Sequence, residues 1–212
     1  MKAIDQQLEL REEMANTITH LLGILFGIIC IPILIMNAAR NANINTITGA
    51  SIYGLSFLMT FTCSTLFHHK PPGRVRERLK ILDHISIYFL IAGTYTPFIL
   101  IFVNNRFGIT LLCVLWTLTV FGTIFKIFYT GKFEFISTFV YLMMGWILFS
   151  GGTTFFDHMT GQIVTLIIAG GIMYTIGVLF YLWRLFAYHH AVWHVFVLGG
   201  AICHYTAVLK AV

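Results

Sequence analysis

The chain has 212 residues, 58% of them hydrophobic and 10% charged, with a mean hydropathy of +0.85. A soluble domain carries about a quarter charged residues, and disorder needs low hydrophobicity with high charge; both are excluded, and the composition is that of an integral membrane protein. The net charge of +5 reads as basic loops at an anionic membrane face, with no nucleic-acid partner implied.

Residues 1–16 are polar and acidic. They lack the basic start and the cleavage site of a signal peptide, and read as an N-terminal segment. The first apolar run, Thr17 to Ala38, has the length of a retained spanning helix. Within it, Gly23 and Gly27 form a small-xxx-small pair, a pattern of close helix packing that also arises by chance among 18 glycines. Further runs follow at about 46–67, 81–103, 107–128, 134–153, 161–183 and 188–209. Turn or charge signals separate them: Arg40 to Asn45, Lys70-Pro71-Pro72-Gly73-Arg74, Asn104-Asn105-Arg106, Thr130-Gly131-Lys132, Asp157-His158 and Arg184. Pro97 should kink the third helix. The expected architecture is an all-α seven-transmembrane helix bundle forming one domain over residues 17–210.

Lys and Arg in short loops set orientation. The N-terminus with the second, fourth and sixth loops holds 10 of them; Arg40, Arg106 and Lys210 make 3 on the other side. A cytoplasmic N-terminus and an external C-terminus follow, in a cell membrane, with a bacterial inner or plasma membrane as the expected location. Cys30, Cys63, Cys113 and Cys203 lie in apolar runs without a Cys-x-x-Cys pair, so neither a disulfide framework nor a zinc knuckle is expected.

Ionisable residues inside a bilayer are costly and mark function by default. On this topology Glu13, Asn16, His20, Ser64, His68, Asp83, Glu134, His190 and His194, from five helices, share one cytoplasmic-side layer. His190 and His194 are four apart, on one helix face, where two imidazoles can hold one metal ion. His68 lies at the same depth on another helix and supplies the third imidazole that an open zinc site needs. Ser64 shares the face of His68. Asp83 is placed to hold and deprotonate a water. Glu13, Asn16 and His20 form a stripe that reads equally as a helix N-terminal cap or as support beneath the site. Glu134 is most simply a helix-dipole residue. His69, His84, His158 and His189 read as interfacial residues. His204 lies about 15 Å beyond His194 along the helix axis, too far to share the ion, and reads as a hydrogen-bonded core histidine.

These residues carry a resemblance. Glu13-Met-Ala-Asn16-Thr-Ile-Thr-His20-Leu-Leu-Gly resembles the opening motif of the hemolysin III and progestin-and-adipoQ receptor superfamily. Ser64-Thr-Leu-Phe-His68 is similar to its Ser-x3-His motif, Leu82-Asp83-His84 to its helix 3 aspartate motif, and His190-Ala-Val-Trp-His194, followed by His204, to its helix 7 signature. The motifs run in order over nearly the whole chain, and the compact length resembles the bacterial hemolysin III branch. The resemblance implies a zinc ion held by His68, His190 and His194, with Asp83 positioning and deprotonating the water and Ser64 supporting it or an oxyanion. It also implies a relation to adiponectin receptors and alkaline ceramidases.

Four function classes follow. The first is an intramembrane zinc hydrolase of a lipid amide or ester, with membrane lipids as partners and an acyl-chain substrate. The second is a receptor or membrane-stress sensor with structural zinc. A pore-forming cytolysin is suggested only by the family name. A proton or ion transporter would want ionisable groups at mid-depth, where His204 stands alone. The residues leave the oligomeric state open.

Overall fold

In the computed structural model, which describes residues 2–40, 43–184 and 186–212 and side chains from Gln6 onward, α1 covers Lys2–Arg40, α2 Ile44–His69, α3 Arg74–Phe102 and α4 Arg106–Tyr129. α5 covers Glu134–Trp146 and passes into a 3-10 helix over Ile147–Gly151; α6 covers Gly161–Leu182 and α7 His189–Ala211. Asn41 and Ala42 of the first expected break lie outside the described residues. No strand occurs among the described residues, and seven helical segments are long and apolar enough to cross a membrane. The all-α seven-helix architecture read from the sequence is therefore the observed one, and the chain is a multi-pass membrane protein.

Helix ends depart from the apolar runs for local reasons. α1 begins at Lys2, not Thr17, and runs through the polar segment. Gln6 to Ala15 are all strong helix formers, so polarity marks where the apolar span starts and not where the helix does. Similarly, Arg74 to Lys80 extend α3 toward the loop. α5 ends its α-helical part at Trp146. There the Tyr95 hydroxyl donates to the Gly145 carbonyl at 2.6 Å and accepts from the Leu148 amide at 3.3 Å, taking over backbone groups that an α-helix would pair internally. The α-helical and 3-10 parts together advance about 30 Å, the thickness of the hydrocarbon core.

α1 packs against both α2 and α7, α2 against α3, α3 against α4, and α6 against α7. Tyr53, Phe57, Phe61, Tyr88 and Phe98 are fully buried at these seams. Outward-facing Leu55, Phe121, Phe128 and Phe135 are exposed, as lipid-facing residues must be. Tyrosine hydroxyls stitch the helices: Tyr53 donates to the Ala201 carbonyl at 3.1 Å and Tyr205 to that of Cys30 at 3.0 Å. The Gly23/Gly27 pair is a packing face, because added Cβ atoms would stand 2.1 Å from Phe61 and 2.6 Å from Leu58.

α3 continues as one helix through Pro97, and Gly49 of α2 packs against that proline. A Cβ at Gly49 would lie 2.6 Å from Pro97 Cα, a backbone atom that cannot rotate away. Gly49→Ala is expected to destabilise by about 1–3 kcal/mol, lowering the unfolding midpoint in detergent by several degrees. Gly145→Ala, where a Cβ meets nothing within 4 Å, is the control and should leave the midpoint in place.

Candidate metal centre

Two helices bring the three histidines together at the end of the bundle where α2 finishes and α7 begins. His68 comes from the last turn of α2, and His190 and His194 come from the first turns of α7. One ligand atom from each lies within 4.8 Å of the others, a group that can hold a metal ion. The ring centroids are 5.1 Å apart for His68 and His190, 4.9 Å for His68 and His194, and 4.5 Å for His190 and His194. His68 and His194 are buried and His190 is partly so.

The partners of two of these rings fix which nitrogen is left free to ligate. His68 Nδ1 stands 2.7 Å from Glu13 Oε2. A carboxylate only accepts, so Nδ1 carries the proton. In the neutral ring Nε2 is then a free lone pair, and this atom is buried without a hydrogen-bond partner. An orphaned buried acceptor among imidazoles is what a metal would satisfy. His194 Nδ1 faces the Asn16 carbonyl at 3.4 Å and the Thr19 hydroxyl at 3.3 Å. The Asn16 carbonyl likewise requires Nδ1–H, which frees Nε2. Both arrangements match the outer hydrogen bonds of metal-bound histidines.

α1 is thus the brace of the site. Glu13 spans His68 and Arg76, its Oε1 accepting from the guanidinium at 2.5 Å, and Arg76 also lies over the Phe67 ring at 5.0 Å. Glu12 accepts from the Tyr188 amide at 3.0 Å, holding the residue before α7. Tyr188 has φ 63°, a left-handed conformation strained for a bulky residue. His20 presses on His194 with ring centroids 3.8 Å apart, and neither of its nitrogens has a hydrogen-bond partner. Glu13→Gln keeps the shape but weakens the acceptor that orients His68. It is expected to loosen metal binding about 10- to 100-fold, as measured by competition with a fluorescent chelator.

All nine residues assigned to one layer by the sequence line a single cavity of about 430 Å³. Ser64 is 1% exposed. Asp83 lies in the cavity outside the three-histidine group, with its carboxylate 3.9 Å from His84 Nδ1. Glu134 pairs with Arg184 at 2.5 Å. His84 lines the cavity, and its Nδ1 donates to the Lys80 carbonyl at 2.7 Å. His204 lines the far end of the cavity and donates from Nε2 to the Ile167 carbonyl at 3.1 Å. Among the described residues His204 makes no hydrogen bond or ring contact with the three-histidine group. Its ring lies against Gly170 and 5.5 Å from the Tyr174 ring, centroid to centroid.

The haemolysin-III related family model matches residues 8–205. The chain belongs to the hemolysin III family. It is 41% identical over 199 residues to "Hemolysin-3" of Bacillus cereus, covering 94% of this chain and 91% of that protein. It is 41% identical over 200 residues to the "Hemolysin-3 homolog" of Bacillus subtilis (strain 168), covering 94% of each. A more distant likeness, 30% over 167 residues, covers 76% of this chain and 69% of the human "Monocyte to macrophage differentiation factor". No solved structure matches the chain.

Several residues of this hemolysin III-related site escape a motif reading. Arg76, Lys80 and Lys126 count in the sequence only as orientation markers, yet all three approach the cavity or its brace. Thr19 looks like an ordinary polar residue of α1. Its signal lies in spacing: Asn16 and Thr19 flank His20 on the strip that faces α7.

Proposed function

We propose that this protein is an intramembrane hydrolase of a lipid amide or ester, with zinc held by His68, His190 and His194. The observation carrying this reading is the group of three histidines whose ligand atoms lie within 4.8 Å of one another at the wall of a cavity that also has many apolar lining residues. His68, His190 and His194 would hold the metal and, as a set of only three protein ligands, would leave room for water or substrate, which is the pattern of catalytic rather than structural sites. When bound there, zinc supplies Lewis acidity and lowers the pKa of water to about 7.

The chain's own residues do the rest. Asp83 accepts the proton of the attacking water and returns it to the leaving amine or alcohol. Ser64, buried on the same helix face as His68, donates to the oxyanion of the carbonyl under attack. Glu13 and the Asn16 carbonyl hold two of the imidazoles in the tautomers that ligation requires. The apolar lining takes the acyl chain and keeps bulk water from the scissile bond. The excess of basic residues in the N-terminus and the even-numbered loops argues that this end faces the cytoplasm.

The test is turnover of a panel of fluorogenic lipid amides and esters by purified protein, before and after chelation and again after zinc is restored. Hydrolysis that disappears and returns with zinc is expected. A zinc-loaded protein that turns over no member of the panel would defeat the hydrolase reading in favour of a receptor or sensor with structural zinc.

A further inference from the structure

The polar end of the cavity holds positive charge that the metal cluster does not use. Lys126, in the last turn of α4, is 1% exposed, and it lines the cavity. A buried ammonium inside a membrane span is costly unless something pairs with it. Among the described residues no carboxylate comes within the 4.0 Å of an ion pair with Lys126. Glu134, at the start of α5, lines the same cavity. Glu134 is already engaged by Arg184 at 2.5 Å. Lys80 is a second cation that lines the same cavity from α3, also without an ion-pair partner among the described residues.

None of the nearby acids forms an ion pair with either lysine among the described residues. Glu13 is held by Arg76 and His68, and Glu12 accepts from the Tyr188 amide. Asp83 stands 3.9 Å from His84. The fold therefore brings two lysines without ion-pair partners among the described residues to the wall of one cavity. The macrodipole of α4 favours a cation in its last turn, which accounts for the sign of Lys126 but not for its burial toward the cavity in place of the membrane surface.

We propose that Lys126 and Lys80 form an anion site in the cavity that binds a phosphate-bearing lipid headgroup. Lysine is a compact point charge suited to phosphate, and two of them match a dianion. The apolar remainder of the cavity, toward Phe98, Leu148 and Phe155, accepts the chains. Together these features assign the headgroup class of the substrate. That assignment rests on the proposed hydrolase reading, whereas the binding itself requires neither metal nor turnover.

The experiment is calorimetric titration of wild-type protein in neutral detergent with dioctanoyl phosphatidate, dioctanoylglycerol and inorganic phosphate. Phosphatidate is expected to bind at least about tenfold tighter than the uncharged lipid, the scale of hydrogen bonds to charged groups. Lys126→Met should remove that preference, and Lys126→Arg should retain most of it. Lys80→Met provides a second reading, with a reduced preference, should Lys126→Met fail to fold. Inorganic phosphate binding as tightly as phosphatidate would keep the anion site and assign it to free phosphate. Equal affinity for the two lipids overturns the proposal, as does a preference that survives Lys126→Met. A preference lost on chelation overturns it too, because the metal would then be the phosphate ligand. Binding that obeys the prediction in a protein without hydrolysis would leave the anion site standing and defeat only the enzyme.

Discussion

Purified His194→Ala protein is expected to retain less than about a tenth of the metal of the wild type, which should carry about one zinc per chain. In the proposed site the three histidines are the protein ligands, so removing one leaves only His68 and His190. His194 is also the ring most embedded in its surroundings, at 2% exposure, with Asn16, Thr19 and His20 packed on it. The alanine variant therefore loses a ligand and opens a gap between α1 and α7. Because a gap alone could unfold the protein, His194→Gln is the companion variant: it keeps volume and polarity while removing the imidazole. Both should show the same metal loss by elemental analysis, and His158→Ala, in an exposed segment, should show none. Full zinc occupancy in a folded His194→Gln protein would dismiss the cluster as the metal site.

Much of this site is readable in the sequence because the bilayer punishes polar residues. In so apolar a chain, His68, Asp83, His190 and His194 stand out, and once the spans are drawn they fall at one depth. Depth follows from counting along helices that must cross a slab of fixed thickness. Direction around each helix does not follow from depth, and there the reading runs out. Glu13 and Asn16 read equally as a cap or as support; only the packing of α1 between α2 and α7 shows Glu13 against His68 and the Asn16 carbonyl against His194. Lys126 shows the same limit. Its position near a helix end suits an interfacial lysine, and its burial toward the cavity depends on how α4 is rotated against α3. The early start of α1 is a different failure: the segment is helical by propensity although polar, and hydropathy does not register helices, only spans. The 3-10 end of α5 depends on a hydroxyl from α3, a long-range partner that no local pattern contains.

Asp83→Asn is expected to keep its zinc and lose about 10³-fold in turnover. Asparagine preserves the size and the polarity of the side chain but cannot take up a proton at neutral pH. Asp83 stands outside the group of ligand atoms, so the imidazoles and the brace from Glu13 are undisturbed. Metal content and unfolding midpoint should therefore match the wild type while kcat collapses and KM moves little. Ser64→Ala separates a second contribution. A lost oxyanion donor costs about 10²- to 10³-fold, again in kcat, and leaves proton transfer intact. The two variants differ in their response to the leaving group. If Asp83 protonates the departing atom, Asp83→Asn should penalise an amide, whose amine leaves poorly, more than an activated ester, whose alkoxide needs no proton. Ser64→Ala should slow both alike, because every acyl substrate develops the same oxyanion. Equal losses on amide and activated ester in Asp83→Asn would strip Asp83 of the acid role, and unchanged turnover would strip it of the base role as well.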